Sequence, residues 1–323
     1  MIRETSQATQ KIHYAMGTVM SHKAFGLQAE QCLTVAEMEI ARIETELSRF
    51  LPESDISRVN ASAGFCEEPV NIDTLAVLSR AAQLSKDFPG CFSVTVGPLV
   101  RLWQNAAATN SQPSPEEIRR TLGLVNDGDI LLNAWAKTAM LNKFGESIDL
   151  GGIGKGFAAD EIRKVFAEYE IDSAYSNLGG NVIAIGTKPD GSPWRIGIQH
   201  PRDERRMIGS VVVQDQAVVT SGDYQRFYID SEGRRQHHIL NPVSGMPANS
   251  GLISTTIIAE KAMDADALST ILFVAGLEKS LEFLGRLEHI EAVLVDENLN
   301  GYITRGLKGR FQADENINFT YVN

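Results

Sequence analysis

Ser147–Asp160 reads SIDLGGIGKGFAAD, and its two halves ask different things of the backbone. Ile148 and Leu150 flank an acid, Asp149, after which Gly151, Gly152, Gly154 and Gly156 crowd around Lys155. From Ala158 onward Ile162, Val165, Phe166 and Tyr169 recur at helical spacing, so the glycines sit at a helix N-terminus. Free amides, the positive end of the helix dipole and a lysine together suit an anion. Glycine also lets a ligand approach the main chain closely. The spacing excludes two familiar phosphate loops. A P-loop needs Ser or Thr after the lysine, where this chain has Gly156, and the glycines at 152, 154 and 156 do not follow GxGxxG. Taken alone, such a turn is more often a packing device than a ligand site.

Outward from this turn, Ile12–Phe25 reads as strand interrupted at Met16-Gly17-Thr18. Ala29–Phe50 reads as a long helix with Cys32, Val35, Ile40, Ile43 and Leu47 facing a core. Leu51–Asp55 breaks it, and a short element begins at Asp55–Asn60. A further helix spans Asp73–Phe88, and Pro89-Gly90 ends it. Ser93–Leu99 reads as strand running into a helix start. Ser114-Pro115-Glu116-Glu117 supplies an N-cap, a proline at N1 and a glutamate at N3.

Strands then dominate: Ile130–Leu132, Thr138–Leu141, Val182–Ile185, Trp194–Gln199, Ile208–Val213, Ala217–Thr220, Phe227–Ile229 and His237–Leu240. Pro189-Asp190-Gly191 and Asp230–Gly233 mark turns between them. Ile253–Ile258 is a β-branched strand, helices follow over Met263–Val274 and Leu277–Leu287, and Ala292–Val295 closes the core. Early helices and late hairpin-like strands define an α+β fold, mostly antiparallel sheet with packed helices, and not a doubly wound nucleotide fold. No repeat, low-complexity tract or linker divides the chain, so residues 1–323 are expected to form a single domain with an ordered core over about 12–310.

Composition narrows the function. The chain has 323 residues, 43% hydrophobic and 22% charged, which is ordinary for a globular protein with a sizeable core. A net charge of -11 argues against a nucleic-acid binder or a basic membrane-surface protein. No apolar run is long enough to span a bilayer. The opening MIRETSQATQKIHYAMG shows no apolar signal-peptide region, so a cytoplasmic location is expected. Cys32, Cys66 and Cys91 are far apart and form neither a disulfide framework nor a CxxC site.

Two further stretches carry chemistry. In Met263–Thr270, Asp266 and Thr270 are i, i+4 neighbours on one helix face, whereas Asp264 points elsewhere. A carboxylate and a hydroxyl on one face suit Mg²⁺, although aspartates in a first helical turn also simply cap it. His237 and His238 end a strand, where successive side chains face opposite sides, so at most one of them serves a given site. Near neutral pH such a histidine is able to act as a base. No HExxH or cysteine partner points to zinc. Ser176–Asn181 reads as a turn, and Thr220–Tyr224 as a bulge.

Taken together and in order, these segments resemble the ApbE family of FAD:protein FMN transferases, which have a T-fold-like α+β core. The resemblance is carried by Met16-Gly17-Thr18, LSRFLPESDISRVN (Leu47–Asn60), FSVTVGPLVRLW (Phe92–Trp103), DLGGIGKGFAAD (Asp149–Asp160) and SNLGGNVIAIG (Ser176–Gly186). It continues through WRIGIQHPR (Trp194–Arg202), TSGDYQRFY (Thr220–Tyr228), HHILNPVSGMP (His237–Pro247) and ADALSTILFVAG (Ala265–Gly276). The resemblance implies FAD as substrate, Mg²⁺ as cofactor, and transfer of FMN to a threonine of an acceptor flavoprotein with release of AMP. It implies Met16, Phe50, Cys91, Phe92, Ser93, Asp149 and Lys155 as FAD contacts, and Gly152 (through its carbonyl), Asp266 and Thr270 as Mg²⁺ ligands. It places His238 near the reacting pyrophosphate, with Lys155 and Asp266 as its catalytic companions.

The chain departs from the family's pattern at Ser93 and Asn241, where relatives commonly carry Asp. Two other readings stay open. One is an FAD pyrophosphatase, with water in place of threonine; the other is a non-catalytic FAD-binding or delivery protein. The acceptor pattern implied is Ser or Asp, Gly, Ala, Thr, then Ser or Thr. Ala107-Ala108-Thr109-Asn110 is only a partial echo of it, so the acceptor is expected to be another protein.

Overall fold

A two-residue turn, Met16-Gly17, joins β1 (Ala8–Ala15) to β2 (Thr18–Phe25), with Ala15 opposite Thr18. Both turn residues have positive φ (49° and 73°), the mirror-image turn whose twist matches a hairpin. The computed structural model describes residues 8–314 and 317–322, and the leader reading over residues 1–7 lies outside them. Helix α1 (Ala29–Leu47) then packs Cys32, Leu33, Ala36, Ile40 and Ile43 inward. It ends three residues before the sequence pattern suggests. Ser48 turns extended (φ -71°, ψ 130°) and its hydroxyl accepts from the Phe50 amide, so Arg49 and Phe50 leave the helix axis.

The next segment holds α2 (Asp55–Ala61), β3 (Glu68–Pro69) and α3 (Ile72–Asp87). Here the strand expected to open Ser93–Leu99 is absent, whereas the helix start expected to follow it is present at Gly97. Asp127 Oδ1 instead accepts from the Val94 amide, the Thr95 amide and the Ser93 hydroxyl, at 3.0, 3.0 and 2.9 Å. Amides converging on one carboxylate oxygen cannot alternate along a ladder. Helix α4 (Gly97–Ala108) follows, then α5 (Pro115–Leu122), which begins with the expected Ser114/Glu117 capping box. Strands β4 (Ile130–Asn133) and β5 (Thr138–Leu141) join β3 in a small sheet.

The second half builds the main sheet. It contributes α6 (Gly154–Glu168), β6 (Ser173–Leu178), β7 (Asn181–Gly186), β8 (Trp194–His200), β9 (Asp203–Val213) and β10 (Ala217–Gly222). There follow β11 (Phe227–Ile229), β12 (Arg235–His237), β13 (Leu252–Ala259), α7 (Ala262–Ala275), α8 (Leu277–Leu284) and β14 (Glu291–Asp296). The chain closes with β15 (Gly301–Thr304), β16 (Phe311–Ala313) and β17 (Phe319–Val322). These last three have no counterpart in the sequence reading.

Ser176–Asn181 is not merely a turn: β6 runs to Leu178 and pairs with β7 through a Gly179-Gly180 turn. The bulge expected at Thr220–Tyr224 is also absent, since Thr220, Ser221 and Gly222 pair in unbroken register with Thr256, Thr255 and Ser254.

Nine strands form one sheet in the order β1-β2-β6-β7-β10-β13-β14-β15-β17, antiparallel except for the final β15–β17 pair. Helices α1, α6 and α7 cover one face through the largest core. The β16-β9-β8 sheet covers the other with Trp194, Ile198, Ile208 and Val211. All eight residues of β13, LISTTIIA, are buried. A strand enclosed on both faces loses alternation and reads as a continuous run. The α+β, mostly antiparallel fold expected from the sequence is the one observed.

Under the β1–β2 hairpin, His22 is fully buried, with Nδ1 2.9 Å from Ser176 Oγ and its ring stacked on His13 at 5.1 Å. Burial pushes its pKa down to about 4, and the neighbouring His13 adds to the shift. The fold therefore holds His22 neutral. As pH falls below the ordinary value near 6.5, the unfolded chain takes up a proton that the native chain refuses, so stability drops until about pH 4. Between pH 7 and 5 this group should cost on the order of 2 kcal/mol. Thermal melts at the two pH values should show a larger fall in Tm for the parent than for His22→Gln; equal falls would remove His22 as the cause.

Candidate active site

The glycine turn is held on both sides before helix α6 begins. The Asp149 amide donates to Val94 O (2.8 Å), and Asn60 bonds both the amide and the carbonyl of Ile148. Asp149 Oδ1 accepts from the Gly151 amide (2.8 Å), and Leu150 O accepts from Ile153 and Gly154. The Gly156 amide donates to Asp266 Oδ2 at 2.8 Å. Four amides of the turn thus have partners within the protein, so the cradle of free N–H groups expected from the sequence is largely spent internally. The cation that remains is Lys155, whose Nζ lies 3.3 Å from Gly151 O.

Gly156 has a packing role. A Cβ there would stand 2.3 Å from Ala262 O and 2.7 Å from Met263 Cα, both in α7. Only glycine permits α6 and α7 to come this close. Asp160, one turn on, accepts from the Ala262 and Met263 amides at 2.8 and 2.9 Å and caps α7. The close crossing brings Asp266, on α7, to the first turn of α6.

Thr270 lies one turn further along α7, on the Asp266 side. Its hydroxyl is 3.3 Å from Ser221 Oγ at the end of β10. A Cβ on Gly152 would lie 3.3 Å from Thr270 Oγ1 and 3.5 Å from the Phe92 ring, so Gly152, Thr270 and Phe92 meet around one small space. Asp264 points away and pairs with Arg80 at 2.7 Å, as its position on the helix requires. Carboxylate, hydroxyl and backbone carbonyl are hard oxygen donors of the kind Mg²⁺ takes, and a side chain at Gly152 would fill the space between them; the donor set fits that ion. Among the described residues no group of three or more His, Cys, Asp or Glu could hold a metal, which leaves no zinc-type cluster.

The remaining residues form the walls. Met16, at φ 49°, turns toward Gly154. Arg226 donates to Gly17 O at 3.3 Å and ties this hairpin to the loop after β10. His238 lies just past the end of β12, not inside a strand, and its Nδ1 is 3.1 Å from Arg226 O. His237 faces the other way, with Nε2 2.9 Å from Ala248 O and its ring edge-on to Phe273. Desolvation among the walls lowers the His238 pKa, with His237, Arg226 and Lys155 adding to it. The hydrogen bond to Arg226 O opposes the shift, but the imidazole is neutral at pH 7.

Cys91 is buried and burial pushes its thiol pKa up, so it packs rather than reacts. Phe92 is buried beside Gly152, whereas Phe50 is 72% exposed and lies under the Arg49 guanidinium at 4.2 Å. Arg49 in turn pairs with Asp149 at 2.6 Å.

Residues 16–294 match the ApbE family. The chain belongs to the ApbE family. It is 34% identical over 277 residues to the FAD:protein FMN transferase of Klebsiella pneumoniae (strain 342), covering 84% of each chain. It is also 34% identical over 266 residues to the FAD:protein FMN transferase of Treponema pallidum (strain Nichols), covering 78% of this chain and 73% of that one. The solved ApbE protein of Thermotoga maritima superposes with a TM-score of 0.82 at 30% identity, covering 96% of this chain and 98% of that one. The flavin transferase ApbE of Vibrio cholerae superposes with a TM-score of 0.85 at 25% identity, covering 94% and 99%.

The two departures from the ApbE pattern each have a local structural role. Ser93 donates to Asp127, so a carboxylate stands 2.9 Å from the Ser93 hydroxyl. Asn241 Oδ1 accepts from the Val243 and Ser244 amides, so it shapes a turn that an Asp would shape equally. Sequence reasoning missed Arg49, Asp127 and Arg226 as site residues. Arg49 and Arg226 lie inside the quoted motifs, and Asn126-Asp127-Gly128 is a visible turn, yet each role depends on a partner far away in the chain.

Proposed function

We propose that this ApbE-family chain, acting as one catalytic domain, transfers FMN from FAD to a threonine hydroxyl of an acceptor flavoprotein and releases AMP. The observation that carries the reading is the Gly156–Asp266 hydrogen bond, which sets a carboxylate and the Thr270 hydroxyl beside the lysine-bearing turn. FAD lies along Met16, Phe50, Cys91, Phe92, Ser93, Asp149 and Lys155. Gly152 through its carbonyl, Asp266 and Thr270 would hold Mg²⁺, which would supply positive charge to offset that of the pyrophosphate.

Lys155 steadies the pyrophosphate and the charge that grows on the AMP side. His238, neutral at pH 7, accepts the threonine proton as the hydroxyl oxygen bonds to the FMN phosphorus. The bond from that phosphorus to the bridging oxygen breaks, and AMP departs with the oxygen. Cys91 contributes shape only. No helix among the described residues is long and apolar enough to cross a membrane. As a separate part of this proposal, the acceptor is a cytoplasmic flavoprotein.

The reading is tested by incubating the protein with FAD, Mg²⁺ and an acceptor bearing the target pattern, then measuring AMP and acceptor-bound flavin. A more local prediction concerns His238. His238→Gln should slow turnover by about 10²-fold while FAD affinity changes little. Because its pKa is lowered, the acid limb of the parent's pH–rate profile should fall below the ordinary histidine value of about 6.5. A limb centred at or above that value, or equal turnover of mutant and parent, would remove His238 as the base.

A further inference from the structure

Beyond the Arg49–Asp149 pair lies a cavity of about 250 Å³ lined by Arg49, Ser57, Asn60, Arg101, Ser147 and Ile148. It is smaller than pockets that enclose drug-sized ligands, so it has no room for a flavin. Its polarity is one-sided. Arg101, from α4, donates to Ser147 Oγ at 3.0 Å and, among the described residues, forms no ion pair. Arg49 uses Nε for Asp149 and one terminal nitrogen for Gln104 (3.1 Å), which leaves further N–H groups of its fork. The chain has 41 acidic residues against 30 basic ones, yet this cavity carries two guanidinium groups and no carboxylate in its lining.

The geometry points to a binding site for a small tetrahedral oxyanion of the phosphate class, gripped between Arg101 and Arg49. Guanidinium forks match such oxygens in pairs, and Ser57 and Ser147 line the same cavity. Asp149 and the bound anion compete for Arg49, so anion binding loosens the Arg49–Asp149 pair. This adds a second ligand to the function proposed above. It is measured without flavin, so its failure and the failure of the transfer reading are told apart.

The test titrates the whole chain with inorganic phosphate at constant ionic strength, chloride replacing phosphate, and follows ³¹P line broadening and the shift in Tm. Phosphate should bind the parent saturably. Arg101→Gln should weaken binding about tenfold, the effect of losing one charge-assisted contact. Arg101→Lys should fall between the two, since a point charge lacks the fork. Asp149→Asn, which frees Arg49, should bind phosphate several-fold more tightly. No binding to the parent, or equal affinity in the parent and Arg101→Gln, overturns the site. Affinity that does not rise in Asp149→Asn overturns the exchange at Arg49. AMP titrated in parallel should bind no more tightly than phosphate; tighter, Arg101-dependent AMP binding would assign the cavity to a nucleotide's phosphate instead.

Discussion

Asp266→Ala should reduce Mg²⁺-dependent AMP release by about 10²–10³-fold, the scale for loss of a group that stabilises developing charge. Asp266 has two tasks: its Oδ2 accepts from the Gly156 amide, and with Thr270 it forms the hard-oxygen face proposed for the metal. Asp266→Asn separates them, because an amide oxygen still accepts from Gly156 while the charge is gone. Asp266→Asn should therefore melt close to the parent and be as inactive as Asp266→Ala. Asp264→Ala breaks only the Arg80 pair, which is partly exposed, and should leave AMP release within about threefold. Full activity in Asp266→Asn, or a dead Asp264→Ala, would contradict the assignment.

Gly156→Ala should be the most damaging substitution in the glycine turn, for a reason unrelated to ligand. The new methyl would overlap Ala262 O and Met263 Cα, which are backbone atoms and cannot swing aside. The two helices must part, at a cost of roughly 1–3 kcal/mol by the usual scale of overpacking. A Tm loss of roughly 2–5 °C follows for a chain of this size. Parting the helices also draws Asp266 from the first turn of α6, so activity should fall with stability. Gly154→Ala is the control, since its methyl meets nothing nearer than 3.7 Å and alanine favours helix. Gly154→Ala should melt at or above the parent. Equal stability of Gly154→Ala and Gly156→Ala would remove the close crossing as the cause.

The features legible in the sequence were those set by local periodicity. The facing of Asp266 and Thr270 away from Asp264 follows from 3.6 residues per turn, and it holds in the fold. So does the Ser114 cap, whereas His237 and His238 take different partners although His238 lies beyond the strand whose alternation was expected to separate them. What escaped was long-range. The start of Ser93–Leu99 looks like a strand by composition, but Asp127, more than thirty residues away, turns its amides inward. The phosphate-type glycine turn proved half structural, because Asp149 and Asp266 spend its amides before any ligand arrives. Arg49 looked like the end of a helix until Ser48 turned the chain toward Asp149. The three C-terminal strands are short, and their pairing with β9, β14 and β15 is not encoded in their own pattern.

The most direct measurement of the central claim asks where the flavin ends up. The protein is mixed with FAD, Mg²⁺ and an acceptor carrying Ser or Asp, Gly, Ala, Thr, then Ser or Thr, and the mixture is denatured and resolved by size. Flavin fluorescence on the acceptor band, matched by AMP and lost when the target threonine becomes alanine, is the predicted result. Free FMN and AMP with an unlabelled acceptor would instead make the protein a pyrophosphatase, and FAD recovered intact would make it a binding protein; either would contradict the account.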